Sequence, residues 1–491
     1  MKTRDWNHWI ADQDKLIKLG QGEKVRLGLL NVHLADIPIE FRVRVYDLAR
    51  RLHMSIYLLR SLQSEVRRMR DGIGRMDDQL LGMYALSLSR LGLFSEAEVL
   101  FQKALLSKDP LVVFFYGASL MSKWDYHSAL KVFRQYLRSS SLPRYQRQVG
   151  KLNLAACLVF TSQFEKSVEK LEDFETVKNQ YPLIYGNSLE LKAQAYIFQK
   201  KWSQAEVLLN YAQAQLDKHP TYKYWVKKWQ FILLGFRGKL VEKDWVDFQK
   251  EMESKEFFEI ARDLFYYKAI LKKSVKEIDY VYWGTPYSSY RDKILMNKFY
   301  QPKLNYILQV ESDDGSDCFV DIYLESQVLS TAGKFIKIPL SIQRLVCGLT
   351  SDFFRPISLG ELFNFLYPGD YFDVYTSPDR IAKSVQAARR FFDQNHLPLE
   401  IEVKHKRFSL KLQSGCRIHL YQKGQAPSLV IQWMNIRKKS FFSRKDLQKD
   451  FDISSDKASL WIRKSIDLKE IRVEGSGRHI VYHLLKKQNN S

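Results

Sequence analysis

Small residues recur at matched positions in the first half of the chain, and this repeat restricts the fold more than any other feature. In four stretches an aromatic residue is followed after three positions by a small residue and, four positions later, by a large apolar one. The four triplets are Phe94-Ala97-Phe101, Tyr126-Ala129-Phe133, Phe164-Ser167-Leu171 and Trp202-Ala205-Leu209. Another small residue stands twelve positions before the small residue of each triplet, at Ala85, Gly117, Ala155 and Ala193. Antiparallel helices pack closely only where small residues let their backbones approach. The pattern therefore predicts stacked helical hairpins.

The stretch YALSLSRLGLFSEAEVLFQKALLSKDP resembles the tetratricopeptide repeat (TPR) in its small, Gly, aromatic, Ala, Phe and closing Pro positions. The resemblance is clearest over residues 77–216, and the flanking segments also have apolar residues at helical spacing. We therefore expect a TPR-like solenoid over residues 1–278. Arrays of this kind build concave surfaces for proteins and peptides, so the resemblance implies a protein or peptide partner rather than catalysis.

The chain is strongly basic, with a formal net charge of +22 over its 491 residues. An excess of this size favours a polyanionic partner such as nucleic acid, an anionic membrane surface or an acidic protein. Residues 424–491 hold 14 Lys and Arg against 7 Asp and Glu. A second basic run contains Arg42, Arg44, Arg50, Arg51, Arg60, Arg67, Arg68, Arg70 and Arg75. The alternative for such runs is a solvated helix face.

Several classes of function find no support in the sequence. The four cysteines are far apart and form no CxxC pair, which argues against disulfides and a zinc site and favours a reducing compartment. The start of the chain lacks an apolar secretory segment, and the longest apolar run is too short to span a bilayer. We expect a cytoplasmic protein with no membrane association. Phosphate-binding loops, HExxH and GxSxG are absent from the sequence, so we expect no enzyme activity, metal or cofactor.

The hydrophobic period changes after a connector at residues 279–305, which contains Gly284, Pro286 and Pro302. Alternating runs NYILQVES, CFVDIYLESQVL and FIKIPL are separated by the turns DDGSD and STAGK, which predicts strands joined by hairpins. Helices are then predicted at SIQRLVCGLTSDF and SLGELFNFLYP, the second with a capping box of Ser358 and Glu361. After the loop PGDYFDVYTSP come a basic helix, SPDRIAKSVQAARRFFDQN, and two further strands, LEIEVKH and RFSLKL.

Residues 306–421 are thus predicted to form strands, then three helices and a final hairpin. This order resembles the OmpR/PhoB-type winged helix-turn-helix domain. The resemblance implies that RIAKSVQAARRFF is a DNA-recognition helix and that IEVKHKRFSLKL is the wing. Here His405, Lys406, Arg407 and Phe408 replace the Gly-x-Gly-Tyr turn usual in that family. Because no phospho-acceptor receiver domain precedes the domain, the helical array would act as the sensor. The PGDYFDVYTSP loop is either a simple connection or, as in that family, a contact for RNA polymerase.

The basic helix is predicted to bury Ile381, Val385, Ala388 and Phe392, which would leave a polar face for the major groove of DNA. Arg and Lys reach guanine, Gln pairs with adenine, and further cations hold phosphates. The candidate DNA-binding residues of this first winged helix are Arg380, Lys383, Gln386, Arg389, Arg390, Lys404, Lys406 and Arg407. The alternative is an amphipathic helix whose polar face is only solvated.

Residues 422–491 repeat the order of helix, helix-turn-helix and wing, and resemble winged-helix domains in general. The third helix is predicted to bury Ala458, Ile462 and Ile466. Its candidate DNA-binding residues are Ser455, Lys457, Arg463, Lys464 and, at the tip of the wing, Arg478.

The sequence thus predicts a mainly α fold with an α+β C-terminal part: a solenoid of TPR-like hairpins followed by two winged helix-turn-helix domains. We expect a transcription regulator that binds double-stranded DNA. A rival hypothesis is a protein-interaction scaffold like the PCI-type assembly subunits, in which winged helices mediate subunit contacts and present apolar outer faces. RNA binding is less favoured, since the strands carry no dense aromatic platform for stacking bases.

Overall fold

The computed structural model describes residues 5–32, 36–217, 219, 221–311, 319–331, 334–422, 425–451, 453–476 and 480–485. The hairpin turn predicted at residues 313–317 lies outside these ranges, and so does the candidate DNA-binding residue Arg478. Across the described residues the chain is mainly helical, and small sheets lie in its C-terminal part.

The N-terminal part consists of α-helices joined by short connections. These helices are α1 (Trp6–Lys18), α2 (Gly22–Leu30), α3 (Arg42–Arg51), α4 (Ser55–Arg70), α5 (Asp78–Arg90), α6 (Phe94–Ala104), α7 (Pro110–Ser122), α8 (Tyr126–Leu137), α9 (Arg144–Phe160), α10 (Phe164–Lys170), α11 (Pro182–Phe198), α12 (Trp202–Leu216), α13 (Tyr222–Phe236), α14 (Glu242–Ser254), α15 (Phe258–Lys272), α16 (Val275–Trp283) and α17 (Ser288–Leu295).

Aspartates begin several of these helices. Asp77 accepts hydrogen bonds from the backbone N–H groups of Gln79 and Leu80 at the start of α5. Asp109 caps α7 in the same way, and Pro110 occupies the first turn, where its missing N–H is not needed. Side chains of this type satisfy the unpaired N–H groups of a first helical turn and stabilise it by about 0.5–2 kcal/mol. Local sequence therefore determines where these helices start.

The helices of residues 77–216 pack in consecutive pairs: α5 with α6, α7 with α8, α9 with α10, and α11 with α12. The small residues of the repeat lie at these crossings and are almost completely buried: Ala85, Ala97, Ala129, Ala155, Ser167, Ala193 and Ala205. The large apolar residues one turn away, including Phe101 and Phe133, fill the space beside them at 0% exposure. The packed helix pairs predicted from the repeat are therefore present.

Gly117 in α7 shows how tight these crossings are. A Cβ atom at this position would lie 2.9–3.1 Å from three ring carbons of the buried Phe133. We expect Gly117→Ala to lower the free energy of unfolding by about 1–3 kcal/mol through overpacking, although Ala is the better helix former. Urea unfolding followed by circular dichroism measures the change.

Gly28→Ala in α2 is the matched control, because the nearest atom to a Cβ there is 3.6 Å away. This second substitution is expected to stabilise the protein by about 0.5–1 kcal/mol. Equal effects at the two glycines would contradict the close approach of α7 and α8.

The predicted connector at residues 279–305 contains ordered helix. It includes the end of α16 and the whole of α17, and Trp283, Tyr290, Ile294 and Tyr300 are buried there. Tyr290 donates a hydrogen bond to Asp263 on α15 at 2.9 Å. Gly284 caps the C-terminal end of α16, and residues 279–300 form an ordered, packed segment of the first unit.

Strands and further helices alternate after residue 300. The strands are β1 (Asn305–Val310), β2 (Val320–Tyr323), β3 (Val328–Thr331), β4 (Lys334–Lys337), β5 (Ile357–Ser358), β6 (Leu399–Lys404), β7 (Arg407–Leu412), β8 (Cys416–Tyr421), β9 (Phe441–Phe442), β10 (Ile471–Glu474) and β11 (Val481–Leu484). The helices are α18 (Leu340–Leu349), α19 (Leu359–Leu366), α20 (Ser377–Gln394), α21 (Leu429–Ile436), α22 (Arg444–Phe451) and α23 (Ser455–Asp467).

The largest sheet has the strand order β1-β8-β2-β3-β4, so the predicted hairpin between the first two strands is wrong. β8, which sequence reasoning missed, lies between β1 and β2, antiparallel to the former and parallel to the latter. The run CFVDIYLESQVL forms two strands, β2 and β3, rather than one. The hairpin of β3 and β4 agrees with the prediction. Asp321 on β2 pairs with Arg417 and His419 on β8, each at 2.8 Å.

The last part of the chain has its own small core. β11 pairs antiparallel with β10 and with β9, and α21, α22 and α23 supply buried side chains. Trp433 is completely buried at its centre, and its indole N–H donates to Asp450 at 2.9 Å. The three helices followed by β10 and β11 agree with the order predicted for residues 422–491, whereas the short strand β9 between α21 and α22 was not predicted.

The chain forms two compact units, and their bounds differ from those of the expected domains. One unit comprises Met1–Tyr300 together with Asp352–Asp379, and the other comprises Gln301–Ser351 together with Arg380–Ser491. The first unit therefore contains α19 and the loop that follows it, although the sequence assigned them to a domain at residues 306–421. The reason lies in the buried polar contacts described below.

Candidate nucleic-acid interface

Helix α20 carries the apolar stripe and the polar face expected of it. Ile381, Val385, Ala388 and Phe392 are buried at 0–3% exposure. The exposed candidates for base contacts on the opposite side are Lys383, Gln386 and Arg390. Spacings of three and four residues place these three side chains on one face of a helix. The face therefore presents two cations and an amide to solvent.

Two other candidates on this helix differ from those three. Arg389 is also exposed, but its Nη2 donates a hydrogen bond to the backbone carbonyl oxygen of Ile401 on β6, at 2.6 Å. Its guanidinium therefore fastens α20 to the wing, which is a positioning role. Arg380 is half-buried and already engaged in an interaction.

The segment predicted to be the wing is a hairpin with a two-residue turn, and we keep the name wing for this hairpin. β6 and β7 pair antiparallel from Leu399 opposite Leu412 to Lys404 opposite Arg407. Lys404 and Lys406 are exposed, whereas Arg407 is half-buried. The exposed cations Lys404 and Lys406 therefore lie at the turn of this hairpin. They follow Ile401 of β6, whose backbone carbonyl accepts the hydrogen bond from Arg389.

Both turn residues of the wing have a left-handed backbone, with φ of 50° at His405 and 60° at Lys406. Two positive φ angles define the turn type that favours Asn-Gly, and other residues cost roughly 1–2 kcal/mol each. We expect His405→Asn combined with Lys406→Gly to raise the free energy of unfolding by about 1 kcal/mol or more. Thermal unfolding measures this change.

A matched pair of substitutions, His405→Ala with Lys406→Ala, removes the same side chains and keeps the backbone strain. If both double variants unfold alike, the left-handed turn does not limit the stability of the wing.

Helix α23 departs from its prediction at one position. Ala458 and Ile462 are buried as expected, but Ile466 is 36% exposed, so its predicted burial is wrong. Ser465 is completely buried in its place and donates to the hydroxyl of Ser428 at 2.7 Å. The buried residues of α23, Ala458, Ile462 and Ser465, are thus spaced by four and then three positions. The hydrogen bond to Ser428 satisfies the Ser465 hydroxyl and makes its burial possible.

The outer face of α23 is mixed. Lys457, Arg463 and Lys464 are exposed, and Ser455 is half-buried in the first turn. Leu460 lies among these cations and is 63% exposed. By contrast, among the residues exposed on α20 there is no large apolar side chain. The two third helices therefore offer different surfaces.

A network of buried ions, which sequence reasoning missed, holds the start of α19 in the first compact unit. Asp352 accepts from Arg262 on α15 at 2.5 Å and from Arg355 at 3.0 Å. Arg355 also forms two hydrogen bonds with Glu361, the acidic member of the predicted capping box. Ser358 and Glu361 complete that box as expected. The four charged side chains are spread over a hundred residues, so only the fold brings them together.

The loop between α19 and α20 is held against the N-terminal helices. Phe372 and Val374 are buried, and their backbone N–H groups donate to Glu96 at 2.9 Å and to Gln63 at 3.1 Å. Burial raises the pKa of the Glu96 carboxyl, which also pairs with an arginine of α4. The loop is therefore more than a simple connection. Its exposed aromatic rings, Tyr371 and Tyr375, are 58% and 60% exposed.

Most arginines of the N-terminal basic run have partners inside the first unit. Pairs or hydrogen bonds join Arg42 to Glu65, Arg44 to Asn7, Arg50 to Asp47, Arg51 to Asp14, Arg67 to Asp373, Arg70 to Glu96 and Arg75 to Asp78. Arg60 and Arg68 are exposed. This run is therefore largely neutralised within the protein and offers a weaker attraction for a polyanion than its sequence implied.

No protein-family model matches the chain, and a search of curated proteins gives no match. Within the described part of the chain, no helix combines the length and the apolar composition needed to cross a bilayer. The same residues hold no cluster of three or more His, Cys, Asp or Glu side chains that could bind a metal ion.

Proposed function

We propose that this protein is a DNA-binding transcription regulator. In this proposal the helical N-terminal part is a TPR-like array that binds a protein or peptide partner. The C-terminal part supplies two winged helices that bind double-stranded DNA. Support comes from the paired helices of residues 77–216 and from the order of helices and strands after residue 305.

The face of α20 carries the proposal. Lys383, Gln386 and Arg390 are exposed together, and large apolar side chains are absent from the exposed residues of that helix. A helix with such a face fits the major groove, where Lys and Arg bind guanine and Gln binds adenine. Arg389 positions the helix through β6, and Lys404 and Lys406 lie where a wing contacts phosphates.

Duplex DNA binding by the full-length protein at two salt concentrations tests the proposal. We expect Lys383→Ala combined with Arg390→Ala to weaken binding at least about tenfold, since each base or phosphate contact contributes about 1–3 kcal/mol. The affinity should also fall steeply as the salt concentration rises. Each Lys or Arg side chain that binds a DNA phosphate displaces a counterion, and added salt opposes this release.

The matched control replaces two exposed lysines on α14, Lys243→Ala with Lys250→Ala, and changes the net charge by the same amount. Equal weakening in the two double variants would mean that only net charge attracts the DNA. Absence of duplex binding by the folded protein at low salt would overturn the proposal.

A second candidate function is favoured only for the last domain. Leu460, Ile466 and Leu468 are exposed on or just after α23, as expected if this helix contacts a protein subunit. Arg463→Ala with Lys464→Ala decides between the two functions. A loss of DNA affinity supports a second DNA-binding helix, and an unchanged affinity supports a scaffold role for this domain.

The proposal also includes a contact between RNA polymerase and the loop after α19, limited to the exposed residues of that loop. The buried side chains Phe372 and Val374 are not available to a partner, whereas the rings of Tyr371 and Tyr375 are exposed. The guanidinium of Arg70 already lies 3.8 Å from the ring centre of Tyr371.

A further inference from the structure

A cavity of about 320 Å³ lies inside the helical unit and is lined by residues of helices between α8 and α17. Aromatic side chains dominate its wall, among them Phe160, Phe198, Trp229 and Phe236. Volumes of this order and apolar walls with a few polar groups are typical of sites for small molecules.

Lys293 on α17 is the only lysine in the wall of this cavity. Its Nζ lies 4.8–5.2 Å from the ring centres of Tyr266, Tyr267 and Tyr290. These rings attract the cation but offer it no carboxylate. Burial lowers the pKa of Lys293 to about 8, which agrees with an ammonium group that has lost much of its hydration.

Asp263, the carboxylate that attracts the charge of Lys293, already has other partners. It pairs with Lys228 at 2.7 Å and accepts a hydrogen bond from Tyr290 at 2.9 Å. Within the described residues, Lys293 therefore contributes a positive charge to the cavity without a salt bridge of its own.

Two buried polar atoms in the same wall also lack hydrogen-bond partners. They are the hydroxyl of Tyr267, a residue 3% exposed, and Oε1 of Gln194, a residue 5% exposed. Unpaired buried polar groups are costly, at roughly 1–3 kcal/mol each, and a native protein usually pairs them with water or a ligand. Three polar groups thus converge on an aromatic cavity.

We propose that this cavity binds a small molecule with an aromatic or branched apolar body and one carboxylate. The carboxylate accepts from Lys293 and from the hydroxyl of Tyr267, and the apolar body lies against Phe198 and Trp229. Gln194 Oε1 accepts a hydrogen bond from any N–H or O–H group on the ligand. Asp292, at the rim, disfavours a second anionic group. This site is separate from the DNA-binding proposal and does not depend on it.

Isothermal calorimetry of the full-length protein with 3-phenylpropionate, indole-3-propionate and octanoate tests the inference, each beside its neutral amide. We expect at least one carboxylate to bind about tenfold more tightly than its amide, because charge-assisted hydrogen bonds are about twice as strong as neutral ones. Lys293→Met should abolish this preference. An exposed lysine changed in the same way, Lys243→Met, should preserve it.

Tyr267→Phe provides a second variant that keeps the ring and removes the unpartnered hydroxyl, so it is expected to fold even if Lys293→Met does not. It should weaken the binding of the carboxylate a few-fold and leave that of the amide unchanged. Equal affinities of carboxylates and amides for the wild-type protein would overturn the role of Lys293. Failure of all three carboxylates to bind at about 10 mM, a weak affinity for ligands of this size, would overturn the site itself.

Discussion

Replacing Arg262 with methionine is expected to lower the free energy of unfolding of the helical unit by up to about 3–5 kcal/mol, because it removes a completely buried cation and leaves the buried carboxylate of Asp352 with Arg355 as its only remaining cation among the described residues. Arg262 is 0% exposed and pairs with Glu259 at 2.9 Å and with Asp352 at 2.5 Å. The carboxylates around it raise the pKa of the guanidinium, so the side chain stays charged despite its burial. Urea unfolding followed by tryptophan fluorescence measures the loss.

The same substitution at Arg237 is the control, since its pair with Glu206 is partly exposed to solvent. Pairs near the surface contribute about 0–1 kcal/mol, so Arg237→Met should have a small effect. Hydrogen exchange in residues 352–379 should rise in the Arg262 variant and stay unchanged in the control. Similar losses for both variants would show that the buried network does not hold this segment.

Replacing Glu190 with glutamine is expected to stabilise the protein above neutral pH by up to about 3 kcal/mol. Burial raises the pKa of Glu190 to about 7 from an ordinary value of 4.5, and the positive charge of Lys228 only partly offsets that effect. Between these two values the unfolded chain loses the proton and the folded protein keeps it. The free energy of unfolding therefore falls as pH rises from 4.5 to 7 and stays low above 7.

A glutamine cannot ionise, and it preserves the acceptor for the side-chain N–H of Gln194, now 2.6 Å from Glu190 Oε1. Glu190→Gln should therefore match the wild type near pH 4.5 and exceed it at pH 8, as measured by urea unfolding at both values. Glu172→Gln, at an exposed carboxylate, serves as the reference and should change stability by no more than about 0.5 kcal/mol at either pH. A Glu190 variant that shows no pH-dependent gain would mean that burial does not raise the pKa of this carboxyl.

Local patterns predicted individual elements well. The spacing of small and aromatic residues indicated the helix pairs of residues 77–216, and the stripe from Ile381 to Phe392 indicated which face of α20 is buried. The capping box of Ser358 and Glu361 gave the start of α19. Each of these signals acts within a few residues along the chain, so a single sequence contains all the information that it requires.

Prediction was wrong where an element's neighbours in space decide its role. Alternation along β1 and β2 specifies which side of each strand is buried, but it does not specify that β8, about a hundred residues away, lies between them. At the end of α23, Ile466 is exposed and Ser465 is buried because Ser428 supplies a hydrogen-bond partner. Hydrophobicity alone cannot reveal such a partner.

The sequence by itself determined the class of fold: packed helices first, then small sheets with basic third helices, because periodicity and capping act locally. Only the tertiary structure placed residues 352–379 with the N-terminal helices, through the pairing of Arg262 with Asp352. It also joined the exposed Arg389 of α20 to the backbone of β6, and it placed Lys293 beside three tyrosine rings in a cavity. The physical reason is clearest at Arg262: a charge buried in a protein requires compensation, and its compensating carboxylate on Asp352 comes from a distant part of the chain.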